Sequence, residues 1–160
     1  MSYRVTALST EDVRQYRTGG GDYYGQPGEI MHSDGAFPCR YCLTDMPKGA
    51  AALLVAHRPF PIAAPYSEVG PVFICGEHCE PYGRVSELPE VVLSRRVVIR
   101  AYSRDHKMRY GHHEMVDGQQ ADAAIRRLLA DPDSDYLHIR SSLTGCYHCR
   151  IDREGPADGC

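Results

Sequence analysis

The last third of the chain has the clearest pattern of hydrophobic and polar positions. After a capping-box-like start at Asp117 and Gln120, apolar residues recur at helical spacing until Asp131-Pro132 ends the pattern. The apolar positions are Ala121, Ala124, Ile125, Leu128 and Leu129. This spacing predicts a helix with one buried face. The flanking segments predict four strands, over residues 96–102, 108–116, 136–140 and 146–151.

Glycine and proline divide the first two-thirds of the chain into shorter segments. Strands are predicted over residues 3–8, 51–57 and 70–75, and short helices over 11–17, capped by Ser9 or Thr10, and from a Ser86 cap through Leu93. The glycine-rich stretch 18–35 is expected to form a long loop. The proline-rich stretch 58–66 is expected to cross the surface in an extended form, which would deliver Arg58, Tyr66 and Glu68 to the place where it docks.

The order of these elements predicts an α+β fold. Strand, strand, helix, strand, strand in the last third favours a mostly antiparallel sheet, with two or three short helices and long loops. No repeat or linker divides the chain, so residues 1–160 are predicted to form a single domain. Residues 154–160 are expected to be a disordered tail.

The charge balance argues against a nucleic-acid-binding protein. The 160 residues contain 18 Lys and Arg against 21 Asp and Glu, for a net charge of -3, so no basic surplus exists to neutralise phosphates. No apolar run approaches the length of a membrane span, and the N-terminus lacks the apolar stretch of a signal peptide. We therefore expect a cytoplasmic protein without nucleic-acid or membrane partners. The oligomeric state stays open.

Six of the seven cysteines form close pairs, and this spacing indicates a metal site. The pairs are Cys39/Cys42, Cys75/Cys79 and Cys146/Cys149, and His78 lies within the second. Thiolate and imidazole are the donors that zinc prefers, in a tetrahedral set of four. The first two pairs could therefore complete one zinc site, with Cys39, Cys42, Cys75, Cys79 and His78 as candidate ligands. The alternative is that the cysteines are buried free thiols that pack as small apolar residues.

The terminal hairpin offers a second cluster. If residues 141–145 form the loop, Arg140 lies opposite Cys146, and His138 lies opposite His148. Those four residues then share one face, where two imidazoles and a thiol could chelate a metal or form a thiol–base pair. The opposite face would be apolar, with Leu137, Ile139, Tyr147, Cys149 and Ile151. The alternative is a solvated sheet face without a function.

A further cluster, His112-His113-Glu114, lies in a predicted strand. His112 and Glu114 would share a face and could bind a metal or act as a general base. The cluster lacks the second histidine of His-Glu-x-x-His, which excludes a zincin site. An exposed strand is the alternative interpretation.

Several segments together resemble the bacterial domain-of-unknown-function family numbered twelve hundred and three (DUF1203). They are Pro38-Cys39-Arg40-Tyr41-Cys42-Leu43, Arg58-Pro59-Phe60, Pro65-Tyr66-Ser67-Glu68-Val69-Gly70-Pro71-Val72-Phe73, Ile99-Arg100-Ala101-Tyr102 and Gly145-Cys146-Tyr147. The resemblance covers about residues 3–153 and implies a small single domain in the bacterial cytoplasm, with no assigned reaction.

The resemblance also draws attention to a set of residues. They are Cys39, Tyr66, Glu68, Cys79, Arg100, Tyr102, Arg140 and Cys146. Cys75, His78 and His148 lie outside the shared pattern, which leaves Cys146 as an alternative fourth metal ligand.

These observations support three functional hypotheses. The first is a zinc-dependent enzyme that acts on a small anionic molecule. Its anion would be bound by Arg58, Arg100 and Arg140, and its catalytic candidates are Tyr66, Glu68, His138, Cys146 and His148. The second is a non-catalytic binding module stabilised by a closed zinc site, without a deep pocket. The third is a thiol or redox protein that uses Cys146 beside His148.

Overall fold

A computed structural model describes residues 2–155 of the chain, so positions 156–160 of the predicted tail lie outside the described residues. The strands within this part are β1 (Tyr3–Thr6), β2 (Glu29–His32), β3 (Phe37–Pro38), β4 (Asp45–Met46), β5 (Ala51–His57), β6 (Gly70–Cys75), β7 (Arg96–Tyr102), β8 (Met108–Asp117), β9 (Tyr136–Ser141) and β10 (Tyr147–Arg153). The helices are α1 (Thr10–Arg17), α2 (Glu90–Leu93) and α3 (Ala121–Ala130). None of these helices is long and apolar enough to cross a bilayer.

The strands form three antiparallel sheets, which confirms the predicted α+β fold. The largest has five strands in the order β1-β10-β9-β7-β8. A second sheet has the order β2-β5-β6, and β3 pairs with β4 in a short hairpin. Every pairing between these strands is antiparallel, as expected for a chain connected mainly by turns and short loops.

Helix α3 covers one face of the five-stranded sheet. Its apolar stripe is fully or almost fully buried, as the helical spacing predicts. The stripe packs on alternate residues of the central strands, including Val97 and Ile99 of β7 and Leu137 and Ile139 of β9. Burial of these side chains makes this interface the main hydrophobic core.

The proline-rich segment and its neighbours cover the opposite face of the same sheet. Phe60 stacks edge-on against Tyr102 of β7 at 5.2 Å between ring centroids and lies 4.7 Å from the His138 ring of β9. Glu68 reaches Arg100 and Arg140 on these same two strands. The sheet face that carries His138 and Arg140 is therefore a covered face, and the alternative of a solvated sheet face is wrong.

The predicted register of the terminal hairpin is wrong, by one residue at Arg140 and by two residues at His138. Tyr147 pairs with Arg140, whereas Arg150 pairs with His138, and the register shifts between Tyr147 and Cys149. A β-bulge with an extra residue, His148, explains the shift. The bulge moves Tyr147 to the His138 face, where the two rings lie 4.9 Å apart, and separates His148 from His138.

Two other predicted segments differ from the structure. The predicted loop 18–35 contains β2, a short, mostly polar strand without a clear alternating pattern that is held by pairing with β5. The predicted helix from Ser86 is only the single turn α2, which begins after Pro89. Proline has no backbone N–H to continue an earlier helix and is well placed at a helix start.

Candidate functional site

Four cysteine side chains meet at one end of the three-stranded sheet. The Sγ atoms of Cys39, Cys42, Cys75 and Cys79 all lie within 4.8 Å of one another. Sγ of Cys39 is 3.9 Å from Sγ of Cys79, and Sγ of Cys42 is 4.0 Å from Sγ of Cys75. Four sulfurs placed tetrahedrally about 2.3 Å from a zinc ion would be about 3.8 Å apart. The four thiols therefore have the spacing of a tetrahedral metal site.

The first pair of thiols lies in the turn of the β3–β4 hairpin. The Cys39 N–H donates to the Thr44 carbonyl at 3.0 Å, and the Leu43 N–H donates to the Cys39 carbonyl at 2.9 Å. Leu43 has a φ of 55°, in the left-handed region that costs a bulky residue free energy. This turn folds the chain back tightly enough for Cys39 and Cys42 to point to the same side.

The second pair lies at the end of β6, and backbone contacts dock the first turn onto this strand. The Arg40 N–H donates to the Phe73 carbonyl at 3.0 Å, and the Phe37 and Phe73 rings stack with centroids 4.2 Å apart. The Cys75 N–H points at Sγ of Cys39 at 3.3 Å. Backbone N–H groups directed at sulfur stabilise the thiolate form that a metal requires.

Two polar side chains also contact the sulfurs. Arg17, in the last turn of α1, donates to Sγ of Cys79 at 3.2 Å and to the carbonyl of Cys75 at 3.1 Å. Thr44 directs its hydroxyl to Sγ of Cys42 at 3.1 Å. A metal ion of charge +2 with four thiolates carries a net charge of -2, which the Arg17 guanidinium partly offsets.

The thiols perturb one another because they are so close. Hydrogen bonds from neighbouring thiols, the one from Cys39 being the strongest, hold the pKa of Cys42 far below its ordinary value. Contacts of the same kind, again with Cys39 first, raise the pKa of Cys75 and Cys79 well above that value. Loss of all four protons would accumulate negative charge on neighbouring sulfurs, which a bound cation would compensate.

The other candidate ligands lie elsewhere. The side chain of His78 is 82% exposed and pairs with Glu80 at 2.8 Å, so the loop between Cys75 and Cys79 turns it towards solvent. Cys146 is not part of the four-thiol group within residues 2–155. The donor set that the structure brings together is therefore all sulfur, without His78 and without the alternative ligand Cys146.

Arg40 connects the four-cysteine site to β10. Its side chain donates from Nη1 to the Pro38 carbonyl at 2.6 Å and from Nε to the Tyr147 carbonyl of β10 at 2.7 Å. Burial lowers its pKa to about 10, and the nearby Cys146 and Cys39 thiols act in the opposite direction. The guanidinium thus fixes the position of Tyr147, which precedes the bulge residue His148, relative to the metal-binding turn.

A cavity of about 120 Å³ lies beside Tyr147. Its wall includes Glu68, Arg140 and Cys146, three of the predicted site residues. The remaining wall residues are His57, Pro59, Val69, Gly70, Pro71, Val72, Thr144, Gly145 and Tyr147. Three of the eight family-pattern residues therefore meet in a small, partly apolar cavity, to which they contribute a carboxylate, a guanidinium and a thiol.

Arg140 is the most unusual residue in this wall. Its side chain is only 6% exposed, and its Nη1 contacts the Gly145 carbonyl at 3.1 Å and the Glu68 carboxylate at 3.2 Å. Glu68 also pairs with Arg100 at 3.5 Å, so one half-exposed carboxylate bridges two arginines. The Nε and Nη2 groups of Arg140 are buried and have no hydrogen-bond acceptor within the described part of the chain. Charged donors without an acceptor are costly to bury.

His138 lies in an aromatic layer and does not line the cavity. The rings of Phe60, Tyr102, Tyr136 and Tyr147 surround it at centroid distances of 4.7, 4.9, 5.3 and 4.9 Å. Burial, reinforced by Arg140 and neighbouring arginines, holds the pKa of His138 well below its usual range. The imidazole is therefore neutral, and its position is that of a packed core residue.

Three further predicted residues lie apart from the cavity. His148 is buried, and burial together with Arg40 and Arg95 lowers its pKa to about 3, so the predicted pair with Cys146 lacks a basic imidazole. The Tyr66 hydroxyl donates to Tyr110 at 3.1 Å. Arg58 lines another depression, beside Tyr23.

The His112-His113-Glu114 cluster carries surface ion pairs. Nδ1 of His112 lies 3.0 Å from Asp131, and the Glu114 carboxylate lies 2.7 Å from Arg127. These contacts tie β8 to α3, and they fit the interpretation of this strand as an exposed one.

Two residues that matter to these sites, Arg17 and Tyr147, are not identified by the sequence pattern. Arg17 is distant in sequence from Cys79, and nothing in its helix marks it as a sulfur contact. Tyr147 was expected in the apolar core, and only the β-bulge brings it to the cavity. An irregular strand pairing of this kind leaves no signal in the hydrophobic pattern.

The comparisons with known proteins agree with the resemblance read from the motifs. A family described as "Protein of unknown function (DUF1203)" matches residues 36–153, which include the four cysteines and the residues of the cavity wall. No curated protein and no solved structure matches the chain.

Proposed function

We propose that this chain, which belongs to the protein family of unknown function DUF1203, is a binding domain stabilised by a structural zinc ion. The observation that carries the proposal is the tetrahedral spacing of the Cys39, Cys42, Cys75 and Cys79 sulfurs. These residues come from two turns that are far apart along the chain, so a shared metal would hold the turns together.

The chemistry of the donors favours zinc. Four thiolates are soft ligands, whereas magnesium and calcium bind oxygen ligands. A compact tetrahedral set of four sulfurs is typical of structural zinc sites. Iron in the same geometry is the principal alternative, and metal analysis distinguishes the two.

A structural role fits the number of ligands better than a catalytic one. Catalytic zinc sites usually have three protein ligands and leave one position for water or substrate. Here four cysteines supply all four positions, so no position remains from which the ion would polarise a substrate. This arrangement favours the binding module over the metal-dependent enzyme.

The state of the cysteines supports the same proposal. The six cysteines within residues 2–155 are free thiols. Thiolate ligands must stay reduced, a condition that the cytoplasm maintains, so we place the protein there. The small cavity beside Arg140 is the proposed ligand site of this domain.

Metal analysis of protein purified without a histidine tag tests the proposal. One zinc ion per chain is expected by elemental analysis, and cobalt substitution is expected to give the charge-transfer and d–d bands of tetrahedral thiolate coordination. Cys42→Ser should lower the zinc content, because it removes one of the four donors. Cys146→Ser is the matched control and should retain one zinc per chain, since Cys146 lies outside the group.

Two results would contradict the proposal. The first is wild-type protein that refolds from reduced chains in zinc and still contains no zinc. The second is a cobalt spectrum without sulfur charge transfer, which would mean that the metal is bound elsewhere.

A further inference from the structure

We infer that the cavity beside Arg140 binds a small carboxylate anion, with the free edge of the Arg140 guanidinium as its receptor. This inference deepens the proposed function and rests on it, because the metal-held turn carries Arg40, which fixes Tyr147 in the cavity wall. The carboxylate would be a short one, with only a small apolar or hydroxylated tail.

The geometry of the guanidinium carries the inference. Nε and Nη2 lie on one edge of the planar group, and their N–H bonds point in the same direction. This edge forms two parallel hydrogen bonds with a carboxylate, which is the strongest arrangement that an arginine makes. Among residues 2–155 neither of these Arg140 nitrogens has an acceptor, while Nη1 is used by Gly145 and Glu68. Both nitrogens are covered by neighbouring atoms, so the inference includes a small movement of the cavity wall that uncovers this edge when the ligand enters. A bound carboxylate would supply the two missing acceptors.

The local charge fits a single negative charge on the ligand. Arg140 and Arg100 contribute two positive charges, and Glu68, which contacts both, contributes one negative charge. Burial lowers the pKa of His57 in the same wall, which keeps that imidazole neutral. The remaining charge of about +1 is matched by one carboxylate and not by a dianionic phosphate.

Glu68 also shows how the site can respond to a ligand. Its carboxylate already contacts Arg140, but its side chain is 52% exposed, and it lies in the irregular segment before β6. The Glu68 end of this ion pair is solvated, so Glu68 can turn towards Arg100 or solvent when a ligand carboxylate replaces it as the partner of the buried Arg140. It acts as an internal competitor for the arginines.

The walls limit the size of the ligand. The cavity of about 120 Å³ accommodates a molecule of few non-hydrogen atoms and excludes nucleotides and sugar phosphates. Pro59, Val69, Pro71 and Val72 supply apolar surface on one side, and the Cys146 thiol lies in the same wall. A short alkyl carboxylate matches both the charge and these surfaces.

The Cys146 thiol allows a direct test with two alkylating reagents of similar size. Iodoacetate carries a carboxylate and iodoacetamide is neutral. With either reagent the thiolate sulfur forms a bond to the methylene carbon, the carbon–iodine bond breaks and iodide leaves. Zinc-loaded protein is treated with each reagent in the presence of reduced glutathione, and the Cys146 peptide is followed by mass spectrometry.

The expected result is a preference for iodoacetate at Cys146. For Cys146, the iodoacetate rate divided by the iodoacetamide rate should be about 10-fold or more above the same quotient measured for glutathione. A paired charge-assisted contact contributes at least that factor. Acetate should protect Cys146 from both reagents. Arg140→Lys keeps a positive charge but loses the paired donors, so it should abolish most of the preference.

Two further variants complete the test. Glu68→Gln removes the competing carboxylate at an exposed position and should lower the acetate concentration needed for protection by several-fold. Arg84→Gln removes an exposed arginine whose ion pair with Glu87 spans 3.7 Å, and it should leave every ratio unchanged. Glu68→Gln keeps the inference testable even if the Arg140 variant does not fold.

A wild-type ratio equal to that of glutathione, together with no protection by acetate, would overturn the inference. Stronger protection by inorganic phosphate than by acetate would overturn the choice of a carboxylate. Zinc content is measured in the same samples, so failure of the cavity inference in protein with one zinc per chain leaves the proposed metal site standing. Protein without zinc contradicts the metal proposal itself.

Discussion

Metal removal should lower the stability of the whole domain, because the four cysteines join segments that are far apart along the chain. Cys39 and Cys79 are separated by 40 positions. If the metal acts as a cross-link, closing a loop of this length removes about 13 cal/mol/K of entropy from the unfolded chain, or about 4 kcal/mol at 25 °C. For a domain of this size each kcal/mol shifts the melting temperature by about 2–4 °C. The metal-free protein should therefore melt about 8–16 °C lower.

Circular dichroism melting curves of zinc-loaded and chelator-stripped protein measure this difference in the presence of a phosphine reductant. Cys146→Ser should show the same shift as the wild type, whereas Cys42→Ser should melt close to the stripped protein with or without zinc. If zinc-loaded and stripped wild-type protein, with metal contents verified, melt within about 2 °C of each other, the metal contributes less than about 1 kcal/mol and does not act as a cross-link.

Three other predictions concern the frame around the sites. Gly118→Ala would place a methyl group against the Val92 carbonyl oxygen and should destabilise the domain by about 3 kcal/mol in urea unfolding, whereas Gly83→Ala has open space around it and should change little. Burial lowers the pKa of His148 to about 3, so the stability that the neutral imidazole contributes is complete above about pH 6.5 and is lost as the pH falls towards 3. Between about pH 6 and pH 5 the free energy of unfolding of His148→Gln should therefore fall less steeply than that of the wild type, by about 1 kcal/mol per pH unit. Ser9→Ala removes the hydroxyl that caps α1 and should cost about 1 kcal/mol, seen as a melting temperature about 2–4 °C lower; no change would contradict the capping role.

The fold was largely predictable where a local pattern coincides with a buried face. The α3 stripe and the strand Ala51–His57 follow directly from apolar spacing, because one helix face and one buried strand satisfy that spacing. The strand β2 could not be found in this way. It has only four residues, mostly solvent-exposed, and its pairing with β5 is a tertiary interaction.

The candidate sites were predictable in their residue types more than in their arrangement. Paired cysteines in two turns indicate zinc because few other functions need such spacing, and the four thiols do converge. The position of His78 between Cys75 and Cys79 predicts a ligand, but a loop of this length can turn its middle residues outwards, and the His78 side chain is exposed. The prediction that His138 and His148 share a sheet face assumes an unbroken strand. One bulge residue is enough to place them on different faces.

The single side chain of Arg40 has a consequence for the two sites that it joins. It leaves the metal-binding turn and ends on the Tyr147 carbonyl, so ordering at either end limits motion at the other. Thermodynamic coupling of this kind is reciprocal: if an occupied metal site improves the affinity for acetate, acetate must improve the affinity for zinc by the same factor. Zinc retention against a competing chelator, titrated with and without acetate, would then report on a ligand that never touches the ion.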